Sequence, residues 1–122
     1  MNSKKYINKP KYQFFKNFGY AISGIKDVLR NEFSFKLDVI FFFVMSSVVP
    51  FLNESFDHKL VLFLSLFLPL FCEIINSAIE RIVDLITMEY DPKAKIAKDV
   101  GSSLVLLSFF VVVLIWVLVL YF

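Results

Sequence analysis

The sequence predicts an all-α integral membrane protein in which an amphipathic interfacial helix precedes three transmembrane helices. Of its 122 residues, 58% are hydrophobic, which exceeds the roughly 45–50% that is usual for soluble domains. These residues lie in long blocks, and the mean hydropathy of the chain is +0.71. A hydrocarbon core about 30 Å thick requires roughly 20 helical residues to span it. We therefore expect a single membrane domain over residues 11–122, after a disordered basic tail over residues 1–10.

The segment 11–31 is predicted to form the interfacial helix. Its apolar residues recur at helical spacing, and basic, acidic and amide side chains occupy much of the other side. A chain this short cannot supply a separate soluble core to cover the apolar face, so we expect this helix to lie at the membrane surface. The apolar positions are Phe14, Phe18, Ala21, Ile22, Ile25, Val28 and Leu29.

Three apolar segments follow, and each is predicted to cross the membrane. The first covers about residues 33–52, with the charges of Lys36 and Asp38 close to its start. The second covers about residues 60–86 and contains a proline that either kinks the helix or is absorbed locally. The third covers about residues 98–122 and carries no charge after its first two residues.

The distribution of basic residues predicts how the chain is oriented. Seven basic residues precede the first span, whereas the connection between the first and second spans contains only Lys59. Three lysines and Arg81 lie near the connection between the second and third spans. Because positive residues concentrate on the cytoplasmic side, we expect a cytoplasmic N-terminus and an outer C-terminus. The basic residues therefore indicate a membrane leaflet, and not a nucleic acid, as their partner.

The segment CEIINSAIERIVD places polar side chains within apolar surroundings in the second span. Each helical residue advances by about 100°, so with Glu73 at zero, Asn76 falls near about −60° and Glu80 near about −20°. Asp84 falls near about +20° on the same scale. These side chains therefore share one stripe of the helix, whereas most of the aliphatic residues between them point elsewhere.

Depth in the membrane assigns different chemistry to the two glutamates. If the second span starts on the outer side near Leu60, a rise of about 1.5 Å per residue places Glu73 about 20 Å into the membrane. A carboxylate at that depth is costly unless it is paired, protonated or bound to a cation, so we interpret Glu73 as a proton acceptor. Glu80 lies nearer the cytoplasm and suits Mg²⁺, which favours one or two carboxylates together with substrate phosphates. The alternative is that the stripe only forms hydrogen bonds between helices.

Three further charged residues are predicted at the same cytoplasmic layer. Glu32 lies where the interfacial helix meets the first span, so it is a candidate second ligand for the metal. Lys98 and Asp99 precede the third span, and Lys98 either contacts phosphates or simply extends to the interface. None of the three glycines lies in a Walker-type or Gly-rich nucleotide loop, so any nucleotide site in this chain is unconventional.

These motifs resemble those of the small prokaryotic integral-membrane diacylglycerol kinase family. The resemblance covers about residues 13–122, and its central motif is long and gapless. The matching residues are Glu73, Asn76-Ser77-Ala78-Ile79-Glu80, Asp84, Glu89-Tyr90, Ala97-Lys98-Asp99 and Gly101-Ser102, with Gly19-Tyr20, Asn31-Glu32 and Phe35 nearer the N-terminus.

The resemblance implies an ATP-dependent lipid kinase that phosphorylates the hydroxyl of diacylglycerol to give phosphatidic acid. It also implies Mg²⁺ as the cofactor and a multi-pass location in the bacterial cytoplasmic (inner) membrane. The implied partners are a membrane lipid, ATP and two further copies of the chain, in a homotrimer whose active sites form between neighbouring subunits.

The resemblance also implies a role for individual residues. Glu73 matches the catalytic base, with Asn76 in support, and Glu32 and Glu80 match the ligands of Mg²⁺-coupled ATP. Gln13 stands where the family has an arginine that contacts the nucleotide. The further nucleotide contacts would be Tyr20, Glu89, Lys98 and Asp99, and the positions on the lipid side would be Lys36, Ser102 and Trp116.

Three other functions fit parts of the sequence. Undecaprenol kinase activity occurs in the same family, and the sequence separates it from diacylglycerol kinase activity only weakly. A small proton-coupled transporter would require Glu73 but tolerate the loss of Glu32, Lys98 and Asp99. A membrane assembly protein without enzymatic activity would turn over no ATP with any lipid.

Overall fold

A computed structural model describes residues 12–122 and contains only helices and their connections in that part of the chain. Three helical segments, 33–51, 56–86 and 92–121, are long and apolar enough to cross a membrane. The predicted fold class, an all-α multi-pass membrane protein, is therefore confirmed. The predicted tail over residues 1–10 lies outside the described residues. The helices are α1 (Phe14–Asn31), α2 (Phe33–Val48, continued by a 3₁₀ turn Val49–Phe51), α3 (Phe56–Ser65), α4 (Phe67–Ile86) and α5 (Pro92–Tyr121).

The third membrane helix starts at Pro92, and not at Lys98 as the hydropathy pattern predicts. Asp91 caps its N-terminus, because its Oδ1 accepts hydrogen bonds from the backbone N–H groups of Lys93 at 2.8 Å and Ala94 at 3.1 Å. Proline suits the first helical position, where no backbone donor is needed. The helix therefore extends well beyond the apolar segment.

The second membrane span consists of two helices, since α3 and α4 are separated at Leu66. Proline lacks a backbone N–H and its ring clashes with the carbonyl four residues earlier, so Pro69 disrupts the helix at Ser65. The Leu66 N–H instead bonds to the Phe63 carbonyl at 3.1 Å, as in a 3₁₀ turn. The indole Nε1–H of Trp116 donates to Ser65 Oγ at 3.2 Å and ties this break to α5. The span also starts at Phe56, ahead of the predicted bound at residue 60.

An aromatic cluster packs the end of the bundle that is remote from α1. Its centre is formed by Phe42, Leu66 and Val112, which are buried. The rings of Phe42 and Phe67 lie edge to face with centroids 4.7 Å apart, an arrangement that is favourable beyond simple burial. The partly buried side chains around this centre are Phe41, Met45, Phe63, Phe67, Leu68, Leu70 and Trp116.

Toward the other end of the bundle, α4 and α5 approach closely at Gly101. A Cβ atom built on Gly101 would lie closer to Oδ1 of Asn76 than real Cβ contacts occur. The absence of a side chain at Gly101 therefore allows the buried amide of Asn76 to fit between the helices. In α1, by contrast, only Val28 is buried, so most of this helix lies on the surface of the bundle.

Candidate active site

A cavity of about 420 Å³ lies between α2, α4 and α5, and we call it the deep cavity. Glu73 is 7% exposed and Asp38 is 8% exposed, so the cavity contains two buried acidic residues. Its remaining walls combine small polar and apolar side chains. The lining residues are Ser34, Leu37, Asp38, Glu73, Asn76, Glu80, Ser102, Val105, Leu106 and Phe109.

The structure brings together several residues that the sequence assigned to catalysis, to the metal and to the lipid. Glu73, Asn76 and Glu80 face the deep cavity from α4, and Ser102 faces it from α5. Asn76 is 5% exposed, and its Oδ1 has no hydrogen-bond partner among the described residues. Buried polar atoms without partners are uncommon in proteins, and this amide oxygen packs against Gly101 of α5.

Asp38 is a member of the deep cavity that sequence reasoning missed. Its Oδ2 atom is buried and has no hydrogen-bond partner in residues 12–122. The hydropathy pattern identifies this aspartate only as a charge close to the start of the first span. An acidic residue inside an apolar segment is itself a signal of function, and this rule would have identified Asp38 as a candidate site residue.

A second cavity of about 480 Å³ lies beside the connection between α4 and α5, and we call it the loop cavity. It contains three predicted nucleotide contacts, Glu89, Lys98 and Asp99. Lys98 Nζ pairs with Asp84 Oδ1 at 2.6 Å. The remaining lining residues are Val83, Thr87, Met88, Tyr90, Asp91, Ala94 and Lys95.

Glu32 lies at the joint between α1 and α2 and is held by two groups of α4. Its Oε1 accepts a hydrogen bond from Ser77 Oγ at 3.1 Å and from Arg81 Nη2 at 3.3 Å. Arg81 also forms an ion pair with Asp27 of α1. Sequence reasoning did not find this interaction, because it depends on how α1 crosses α4.

The ion pair with Arg81 affects the protonation of Asp27. The hydrogen bond from the Arg81 guanidinium lowers the pKa of Asp27 below its ordinary value of 3.8. A carboxyl group whose pKa is lowered on folding stabilises the folded state above its unfolded pKa, and it loses this effect as the pH falls through the folded pKa. The pair is therefore present throughout the neutral range.

The other predicted site residues do not line either cavity. Gln13 is extended and precedes α1, and Tyr20 is 68% exposed on the surface of α1. Lys36 is exposed near the start of α2. Trp116 belongs to the aromatic cluster and donates to Ser65.

The carboxylates predicted to bind Mg²⁺ are those of Glu32 and Glu80. No group of three or more potential metal ligands is found within residues 12–122. Mg²⁺ usually takes one or two carboxylates and completes its shell with water and substrate phosphates. Glu80 lines the deep cavity and has no ion-pair partner in the described part of the chain, so its oxygens are free to bind a cation.

These features define a class of protein: a helical membrane protein with buried carboxylates in the deep cavity and a charged cavity beside the connection of two spans. Residues 19–120 match the family model described as prokaryotic diacylglycerol kinase. The chain belongs to this family, and membership makes it an enzyme of the lipid-kinase class.

Individual relatives agree with the family match. The chain is 32% identical to a diacylglycerol kinase of Escherichia coli K12 over 103 residues, which cover 84% of each protein. It is 34% identical to a diacylglycerol kinase of Helicobacter pylori J99 over 104 residues, which cover 85% of this chain and 81% of the relative. It is 31% identical to the diacylglycerol kinase of Pseudomonas aeruginosa PAO1 over 102 residues.

Proposed function

We propose that the protein transfers the γ-phosphoryl group of ATP to the hydroxyl of diacylglycerol and releases phosphatidic acid and ADP. The observation that carries this proposal is the composition of the deep cavity. Its carboxylates lie beside apolar residues such as Leu106 and Phe109. Such a surface suits a substrate whose hydroxyl is polar and whose remaining chains are hydrocarbon.

In this proposal Glu73 is the general base. Its carboxylate takes the proton of the lipid hydroxyl while the hydroxyl oxygen forms a bond to the γ-phosphorus, and the bond from that phosphorus to the bridging oxygen of ADP breaks. Phosphoryl transfer depends mainly on positioning and on neutralisation of charge. Asn76 supports the site from the same wall of the deep cavity as Glu73.

Glu32 and Glu80 would hold Mg²⁺, which neutralises phosphate charge when it is bound. The loop cavity then serves the nucleotide, with Lys98 as a cationic contact and Glu89 and Asp99 as polar contacts. Tyr20 and Gln13 would reach the nucleotide from α1. On the lipid side, Ser102 lines the deep cavity, whereas Lys36 and Trp116 would contact more distant parts of the lipid.

We further propose that the protein works as a homotrimer in the bacterial cytoplasmic membrane, with a cytoplasmic N-terminus and an outer C-terminus. Large apolar side chains of α2 and α5, such as Phe43 and Phe110, face outward and are available to lipid or to neighbouring copies. The basic residues around α1 and at the start of α5 support the orientation. Cross-linking in membranes that yields dimers without trimers would contradict the proposed assembly.

The test of the proposed function is a kinase assay on the purified protein in lipid nanodiscs. Labelled ATP is supplied with diacylglycerol, with undecaprenol or without added lipid acceptor. We expect label in phosphatidic acid and a strong preference for diacylglycerol. A preference for undecaprenol would assign the sibling activity, and no lipid labelling would favour a membrane assembly protein.

Substitutions distinguish the kinase from a proton-coupled transporter. In a kinase, Glu73→Gln, Glu80→Gln and Glu32→Gln each abolish lipid labelling while the protein still assembles. A transporter would require Glu73 but retain its activity in the Glu32→Gln variant. Glu54→Gln is the matched control, because Glu54 lies in the connection between α2 and α3 and pairs with His58.

A further inference from the structure

Arg81 joins two parts of the molecule through two carboxylates. Its Nη1 contacts Asp27 in α1, and its Nη2 lies 3.3 Å from Glu32 Oε1 at the joint between α1 and α2. Arginine suits such a bridge because its planar guanidinium presents several donors in a fixed arrangement. Arg81 follows Glu80 directly, so this contact adjoins the proposed metal and phosphate layer.

The remaining attachment of α1 to the bundle is slight. Val28 is its only buried residue, whereas Phe14, Phe18 and Ile25 are all at least 45% exposed. Among the described residues, the only other side-chain hydrogen bond that links α1 or its joint to α4 runs from Ser77 to Glu32. Loss of Arg81 would therefore leave the helix held mainly by Val28 and Ser77.

The two groups that hold Glu32 lie on one edge of α4. Ser77 and Arg81 are separated by one helical turn and therefore project from the same side. This edge differs from the face with which Glu73 and Glu80 line the deep cavity. As a result, one face of α4 lines the deep cavity, and an adjacent edge of the same helix contacts the joint between α1 and α2.

We propose that Arg81 is a positioning residue, a tether that docks α1 against α4 and thereby fixes Glu32 and the nucleotide-facing surface of α1. The docking can be measured without metal or nucleotide, and only its kinetic consequence rests on the proposed function. If binding of Mg²⁺-ATP requires docked α1, the apparent affinity falls in proportion to the fraction of molecules in which α1 is docked. The tether then affects KM for Mg²⁺-ATP and leaves kcat at saturation unchanged.

The primary experiment measures hydrogen exchange of α1 in the full-length protein in nanodiscs, without metal or nucleotide. Because an exposed ion pair stabilises its contact only modestly, we expect exchange of α1 to become about three- to fivefold faster in Arg81→Gln. Asp27→Asn should accelerate it by a smaller factor, since the contact with Glu32 remains. The double variant should exchange no faster than Arg81→Gln alone, as expected for partners in one interaction.

Lys26→Gln is the matched control, because it removes a positive charge from the exposed side of α1 that forms no ion pair in residues 12–122. Exchange of α1 in this variant should match the wild type. Unchanged exchange in both Arg81→Gln and Asp27→Asn would overturn the tether. Asp27 lies outside α4, so the Asp27→Asn variant tests the tether even if substitutions of Arg81 impair folding.

The kinetic measurement separates a positioning residue from one that only stabilises the fold. With the lipid acceptor that the protein uses, we expect KM for Mg²⁺-ATP to rise about two- to threefold in Arg81→Gln and kcat to stay near that of the wild type. Arg81→Lys should restore part of the affinity. A fall in kcat with unchanged KM would contradict the positioning role. If the wild type phosphorylates no lipid but its α1 exchange responds as predicted, the proposed function fails and the tether remains.

Discussion

The aromatic cluster and the deep cavity are built on the same membrane helices, yet they fill the space between them in opposite ways. Around Phe42, Leu66 and Val112 the helices pack mainly aromatic and aliphatic side chains, and the Ser65 hydroxyl there accepts a hydrogen bond from the indole N–H of Trp116. In the deep cavity, Glu73 and Asp38 are buried in a space of about 420 Å³. The comparison indicates that one end of the bundle provides stability and allows the other to hold groups that would otherwise be unfavourable.

The largest effect is expected at Glu73 in the deep cavity, where a substitution should lower kinase activity without lowering thermal stability. Glu73→Gln removes the proposed base, and general base catalysis contributes about 10²- to 10⁴-fold, so lipid kinase activity should fall by that factor. Because a buried carboxylate is costly in a membrane, the thermal midpoint should stay constant or rise. Paired measurements of turnover and thermal unfolding in nanodiscs test this, and full turnover would eliminate Glu73 as the base.

A substitution in the aromatic cluster should do the reverse: it should lower the stability of the protein without changing its kinetics. Leu66 is fully buried, so Leu66→Ala leaves a cavity, and the expected cost is about 2 kcal/mol, near the lower end for such changes because lipid replaces water in the unfolded state. KM for Mg²⁺-ATP should not change at temperatures where the protein stays folded. The exposed Leu106 is unsuitable as a control because it lines the deep cavity, whereas Leu64→Ala removes a similar side chain that is 53% exposed.

The close approach of α4 and α5 at Gly101 can be tested by adding a methyl group at that position. In Gly101→Ala the new methyl group would meet Asn76 Oδ1, and overpacking of this kind costs about 1–3 kcal/mol. Activity should fall as well, because Asn76 is displaced. Gly24→Ala is the control, since a Cβ atom at Gly24 would have no neighbour within 4 Å. Equal thermal midpoints for the two variants would show that the close approach of α4 and α5 does not contribute to thermal stability.

The smallest expected effect concerns Trp116, which the family resemblance implies is on the lipid side. Trp116→Phe removes the hydrogen bond to Ser65, and interhelical hydrogen bonds in membranes average about 0.6 kcal/mol. Thermal stability should therefore fall slightly, and Ser65→Ala should reproduce this fall. A rise in KM for the lipid in Trp116→Phe, without a similar rise in Ser65→Ala, would instead support contact with the substrate.

The parts of the molecule that follow from local sequence were predictable, and those that depend on helix crossing were not. Periodicity placed Glu73, Asn76 and Glu80 on one face, and the structure gathers them around one cavity. Capping rules would also have found the start of α5, because Asp91 and Pro92 form a recognisable helix start. The contact between Arg81 and Asp27 gave no local signal, since each residue alone is an ordinary charge on a helix surface.

The early start of α5 has a mechanical consequence. At about 1.5 Å per residue, its 30 residues form a rod about 45 Å long, whereas the hydrocarbon core is about 30 Å thick. Roughly the first ten residues therefore stand clear of the lipid and carry Lys98 and Asp99 on the same rigid element as Ser102, which faces the deep cavity. A thicker or thinner bilayer would tilt this rod or shift its depth, but the distance along the helix from Lys98 and Asp99 to Ser102 would stay the same.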